Sequence, residues 1–139
     1  MPTGRETFMA RLFKPSDAKR LGLPGRSALE FVSGEVGANV TVRIAEIAVP
    51  QPGDPARGPH LHDGFEECIY VLSGHGVTWS EAGELAVGPG DLVLVPPGEK
   101  HMTRNTGDEP LRLLCFFAVP DIGPGTREFS PAELQKNVP

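Results

Sequence analysis

Short runs rich in Val, Ile, Leu and Phe recur along this chain, and glycine or proline closes each of them off. That punctuation is the pattern of many short strands joined by turns. The 17 glycines and 15 prolines make up close to a quarter of the 139 residues, and they do not gather in one low-complexity block. A domain of this length can bury roughly 70 % of its unfolded surface, so a core can form without disulfides.

The period-two signal is strongest over Asn39 to Val49 (NVTVRIAEIAV). Further strands are expected over Thr7 to Phe13, Ala28 to Ser33, Glu67 to Leu72, Val77 to Ser80, Glu84 to Val87, Asp91 to Val95, His101 to Asn105 and Leu111 to Val119. Lys14 to Arg26 reads as irregular, with one short helical turn after Ser16, and PQPGDPARGP from Pro50 to Pro59 is too rich in proline and glycine for regular structure. Ser130-Pro131-Ala132-Glu133 supplies a helix cap, a proline at the first helical position and a glutamate three residues after the cap. A short C-terminal helix from about Pro131 to Asn137 is therefore expected. With no repeat and no long linker, the expectation is one all-β domain over residues 1–139, a sandwich or barrel. Within it, residues 1–33 read as an N-terminal arm with edge strands, 39–119 as the barrel core and 120–139 as a tail.

Composition excludes several partners. The net charge is −5, no Lys/Arg stripe exists, and one Trp and one Tyr are the chain's whole stock of those stacking rings, so no nucleic acid is expected. MPTGRETFMARLF carries no apolar leader, and no run approaches a membrane span, so a cytoplasmic protein without membrane contact is expected. Cys68 and Cys115 lie in apolar runs and read as buried reduced thiols.

The chemistry-bearing residues fall in two segments. His60-Leu61-His62 puts two imidazoles on one face of an extended chain, and Glu67 opens the run ECIYVL. His101 follows GDLVLVPPG at the start of another strand. Imidazole nitrogen and carboxylate oxygen suit a first-row transition metal. Three nitrogens and one oxygen, expected from two antiparallel strands, would leave coordination positions open for a substrate or oxygen.

The two segments resemble the paired motifs of the cupin superfamily. GDPARGPHLHDGFEECIYVLSG, Gly53 to Gly74, is similar to the first motif: four residues separate His62 from Glu67, and six separate Glu67 from Gly74. This spacing selects Glu67 over Glu66. The only departure is six residues rather than five between Gly53 and His60. GDLVLVPPGEKHMTRN, Gly90 to Asn105, is similar to the second motif at every position, and the motif pair occurs once. The resemblance implies a double-stranded β-helix, or jelly roll, closed into a barrel with one divalent metal near a mouth, held by His60, His62, Glu67 and His101. It also implies a homodimer, with Thr7 to Ser33 as the expected cover for the edges.

Inward-pointing Glu67 and His101 place Ile69, Val71, Thr103 and Asn105 inside by alternation, with Phe116 or Phe117 adding an aromatic wall. Such a pocket, aliphatic with few polar groups, suits a small organic ligand. Arg43 and Glu46 face opposite sides of their strand. An inward Arg43 would hold a substrate carboxylate, although an exposed position is the more common one for arginine. Tyr70 shares the outward face of Cys68 and Leu72, Glu66 is adjacent to the metal carboxylate but directed away, and His75 lies in an exposed turn.

Three functions are open to such a chain. The first is an Fe(II) oxygenase, a dioxygenase acting on a small molecule, with Mn, Ni or Zn as other occupants of the site. The second is a redox-neutral isomerase, lyase or decarboxylase, which needs a general base near the metal, a role open to a metal-bound water or Tyr70, with Glu66 a candidate beside the metal carboxylate. The third is a ligand-binding or sensing module without turnover.

Overall fold

The computed structural model describes residues 9–135, folded into two antiparallel sheets that face each other across a common interior. The strands are β1 (Lys19–Leu23), β2 (Arg26–Val32), β3 (Thr41–Ile47), β4 (His60–His62), β5 (Glu67–Ser73), β6 (Gly76–Ser80), β7 (Gly83–Val87), β8 (Leu92–Val95), β9 (His101–Asn105), β10 (Leu111–Phe117) and β11 (Thr126–Glu128). One sheet has six strands in the order β1-β2-β3-β10-β5-β8, and the other has five in the order β11-β4-β9-β6-β7. Neighbours that are distant in sequence, such as β10 between β3 and β5, give the jelly-roll topology of a double-stranded β-helix.

Alternation of side chains builds the interior. On β10, Leu111, Leu113, Cys115 and Phe117 are buried, and on β5 Glu67, Ile69 and Val71 are, while Tyr70 and Leu72 on the opposite face are exposed. Of the two candidate aromatics, Phe117 faces in. Leu111, Leu113, Ile69, Val71, Ile47 and Phe117 belong to one buried cluster. The five-stranded sheet turns a polar inner face toward it: His101, Thr103 and Asn105 of β9 and Thr78 of β6 are all buried. Each polar group is paired. Thr78 and Thr103 share a 2.8 Å hydroxyl bond, and the Asn105 amide donates to the carbonyls of Ile47 (3.0 Å) and Glu109 (2.8 Å).

Several elements differ from expectation. Residues 7 and 8 of the expected first strand lie outside the described residues, and 9–13 are not a strand. Met9 and Leu12 are exposed there, with no neighbouring strand among the described residues to accept their backbone bonds. The stretch Lys14 to Arg26 holds β1 after the 3-10 turn Pro15–Asp17, and β1 pairs with β2 through a hairpin turned at Pro24-Gly25. β4 and β11 are three-residue strands too short to carry a period of their own. The expected C-terminal helix is a 3-10 helix, Pro131–Gln135, and residues 136 and 137 lie outside the described residues. Its backbone bond runs from Glu133 N–H to Ser130 C=O at 3.1 Å, three residues back, since so short a segment cannot propagate an α-helical ladder. Among the described residues no helix is long and apolar enough to cross a membrane.

Candidate metal centre

His60 and His62 stand on β4, His101 on β9 and Glu67 on β5, so three strands rather than two supply the four side chains. His60 and His101 are register partners across β4 and β9, with ring centroids 4.3 Å apart, and His62 follows two residues along on the same face. These imidazoles belong to the five-stranded sheet. Glu67 reaches toward them from the six-stranded sheet, held between Phe117 of β10 and Val95 of β8. One ligand atom from each of the four residues lies within 4.8 Å of the others. Donors on opposite sides of a metal with bonds of about 2.1 Å lie roughly 4.2 Å apart, so an inward shift of a few tenths of an ångström would close the shell.

The hydrogen bonds behind the rings decide what the ring nitrogens can do. His101 Nδ1 lies 3.0 Å from the carbonyl oxygen of Glu99, which only accepts, so Nδ1 carries the proton. His62 Nδ1 lies 2.9 Å from Thr126 Oγ1, whose own proton goes to the Ile122 carbonyl at 2.6 Å. Both rings therefore present Nε2 toward Glu67 Oε1, at 3.0 Å from His101 and 3.2 Å from His62. Two lone pairs aimed at a carboxylate oxygen require a cation among them, either protons on the rings or a metal ion. The donor set, with rings oriented from behind by acceptors, fits a transition metal.

Titration behaviour agrees with that chemistry. Burial, with help from neighbouring His101, lowers the His60 pKa to about 3, leaving a neutral imidazole with a free lone pair. Burial alone would raise the pKa of Glu67, but hydrogen bonds from His101 and His62 outweigh it, and the carboxyl is held well below the usual range. Burial likewise opposes charge on His101, yet its bond to Glu67 raises its pKa overall.

The four residues form one wall of a cavity of about 230 Å³, smaller than the usual drug-sized pocket. Ile69, Leu113, Cys115 and Phe117 line it as expected of an aliphatic interior. The rest differs from the expected apolar wall, because Arg26, Arg43, Arg57 and Glu128 line it too. Arg43, expected at the surface, points inward from β3 and pairs with Glu30 at 3.0 Å. An inward arginine persists here because Glu30 on β2 is its register partner and neutralises it. Tyr70 and Glu66 are exposed and do not line the cavity. The β5 pleat turns Tyr70 away from Glu67, and Glu66 lies just ahead of that strand. Cys68 and Cys115 are free thiols on opposite faces of the six-stranded sheet.

Arg26, Arg57, Thr126 and Glu128 were not legible as site residues. Arg57 sits in a Pro/Gly loop where no period applies, and Thr126 and Glu128 reach the site only because β11 pairs with β4, setting Thr126 opposite His62 and Glu128 opposite His60.

The sequence profile of the cupin domain family matches residues 47–117. This chain belongs to the cupin family. It is 36 % identical over 91 residues to an uncharacterised protein of Methanocaldococcus jannaschii, an alignment covering 66 % of this chain and 71 % of the relative. It is 32 % identical over 89 residues to an oxalate-binding protein of Thermotoga maritima, covering 64 % of this chain and 72 % of that one. In three dimensions this cupin resembles the Streptomyces nucleoside dehydratase Pac13, with a TM-score of 0.68 at 18 % identity over 90 % of this chain and 98 % of the other. At that identity the likeness concerns the fold.

Proposed function

We propose that this cupin is a metal-dependent enzyme, with His60, His62, Glu67 and His101 holding one divalent transition metal against a cavity that takes a small organic acid. The observation that carries this reading is the pair of Nε2 atoms aimed at Glu67 by Nδ1 bonds to Thr126 and Glu99. The metal would supply Lewis acidity to a substrate oxygen. The oxalate-binding relative supports reading that substrate as a small acid.

The reaction this cavity suits best is redox-neutral, of the lyase, isomerase or decarboxylase kind. Such chemistry needs a residue that can take or return a proton, and Glu128 lines the cavity opposite His60. Tyr70 and Glu66, on the wrong faces, do not serve. A second reading, the Fe(II) dioxygenase, is favoured by the aliphatic part of the wall around Ile69, Leu113 and Phe117.

The test is metal analysis of protein purified without chelator or oxygen, followed by turnover of a panel of small organic acids with and without oxygen. Stoichiometric metal and equal turnover under both atmospheres is the expected result. Turnover that stops without oxygen would move the assignment to the oxygenase. A preparation that neither binds metal nor turns anything over would overturn both.

We also propose a homodimer, formed through the outer face of the six-stranded sheet rather than through its edges. Leu29, Ile44, Leu114, Tyr70 and Leu92 lie in one register row across that face, and Tyr70, Leu72, Leu92 and Leu94 are exposed. Light scattering should give twice the chain mass, and Leu92→Glu with Leu94→Glu should halve it. An unchanged mass in the double variant would refute this face.

A further inference from the structure

Arg26 and Arg57 have no part in the metal-centred reading, yet both line its cavity. Arg26 opens β2 on the inward face shared with Ala28, and Arg57 arrives from the Pro/Gly loop three residues before His60. Between them lies the β1–β2 hairpin tip, where Gly25 adopts a φ of 70°. A side chain at Gly25 would overlap Cδ of Arg57, so the glycine lets the Arg57 stem cross the tip toward Arg26.

Each guanidinium is mostly unspent. Among the described residues, Arg26 donates from Nη1 to the Pro24 carbonyl at 2.9 Å and Arg57 from Nη1 to the Thr103 carbonyl at 3.1 Å. Neither makes an ion pair with a described residue, unlike Arg43, which Glu30 neutralises. Burial lowers both pKa values, and the neighbouring Arg26 helps bring that of Arg57 to about 10. Both remain cationic at neutral pH. A divalent ion beside Glu67 leaves one positive charge, the two arginines add two more, and Glu128 removes one. The cavity thus carries two unneutralised positive charges beside Ile69, Leu113 and Phe117, an arrangement that favours entry of anionic charge.

We propose that Arg26 and Arg57 bind the far carboxylate of a small dicarboxylate whose near carboxylate occupies the metal end of the cavity, so that the pair selects dianions over monoanions. This role for the two arginines rests on the metal-centred reading of the site. Planar guanidinium forks match a carboxylate edge, and two of them converging from different segments fix its position as well as its charge. The cavity volume of about 230 Å³ restricts the partner to short chains. Neither arginine supplies a ligand atom to the metal, so their contribution is separable from it.

The experiment uses the full chain loaded with Mn(II), titrated calorimetrically with malonate against propionate and with succinate against butyrate. At least one dicarboxylate should bind about tenfold or more tightly than its matched monoacid, with a preference that shrinks as salt rises. Arg26→Gln and Arg57→Gln should each abolish most of that preference while Mn(II) affinity stays at the wild-type value. Arg26→Lys and Arg57→Lys, which keep charge without the fork, should retain part of it. Equal affinity for diacid and monoacid, a glutamine variant that keeps the preference, or tighter binding of inorganic phosphate than of either diacid would overturn the proposal. Intact Mn(II) binding without dianion preference sinks this inference alone, whereas no Mn(II) binding by the wild type sinks the metal centre and this inference together.

Discussion

Replacing Thr126 by Val tests whether the metal site depends on the residue behind the ligand. Valine keeps the shape and removes one hydroxyl. That hydroxyl accepts from His62 Nδ1 at 2.9 Å and donates to Ile122 O at 2.6 Å, and His62 is only 3 % exposed. With the acceptor gone, a buried N–H is left without its partner, a penalty of about 1–3 kcal/mol. The ring can escape by moving its proton to Nε2, which suits an Nε2–H···O bond to Glu67 in the metal-free protein and removes the lone pair a metal needs. The penalty therefore falls chiefly on the metal-bound state. At about 1.4 kcal/mol per decade, it weakens metal affinity by roughly 5- to 140-fold, a range that contains the roughly 10- to 100-fold typical of losses behind a ligating histidine. Competition for Zn(II) against a chromophoric chelator measures this, with Thr126→Ser as the variant that restores the bond and exposed Ser27→Ala as a control. Zn(II) affinity in Thr126→Val within about twofold of wild type would refute the argument, since a difference of that size is below the cost of a lost buried hydrogen bond. Circular dichroism at the same temperature establishes that the variant is folded.

The other expectations concern the ligands, the loop and pH. Glu67→Gln and His101→Ala should each lose stoichiometric metal while Glu66→Gln, at an exposed position, keeps it; wild-type metal content in Glu67→Gln would exclude that residue as a ligand. Saturating metal should raise the melting temperature, because four ligands drawn from two sheets exist together only in the folded chain, and a hundredfold excess over Kd is worth about 2.7 kcal/mol. Gly58→Ala should lower the melting temperature by several degrees and weaken metal binding, since its methyl would overlap the Phe129 carbonyl and push β11 with Thr126 away from β4. In the metal-free protein, His60 has its pKa lowered to about 3, so its contribution is complete above about 6.5 and is lost as pH falls from there. His101 has a raised pKa, so its contribution is complete below about 6.5 and is lost as pH rises through the folded value. Chemical denaturation should accordingly show greatest stability near pH 6.5, and a monotonic rise from pH 5 to 9 would contradict these shifts.

Much of the barrel could be read from residues alone because strands with one buried face write their period into local sequence. NVTVRIAEIAV alternates, and Thr41–Ile47 is a strand with Thr41, Ala45 and Ile47 buried. The motif spacing from His60 to Gly74 and from Gly90 to Asn105 brought forward four candidate ligands, and tight turns at fixed offsets hold such spacing. Other features have no local signature. Arg43 on the alternating strand could face either way until Glu30 appeared opposite it, because burial of a charge depends on the partner that the neighbouring strand supplies. Arg57 and Arg26 meet only because the β1–β2 hairpin folds over the loop. Thr126 lies 64 residues from the histidine it orients. Which strands stand side by side is settled by closure of two sheets around one interior, a non-local balance of backbone pairing and burial, and that closure alone brings an oriented imidazole, two arginines and a carboxylate to the same cavity.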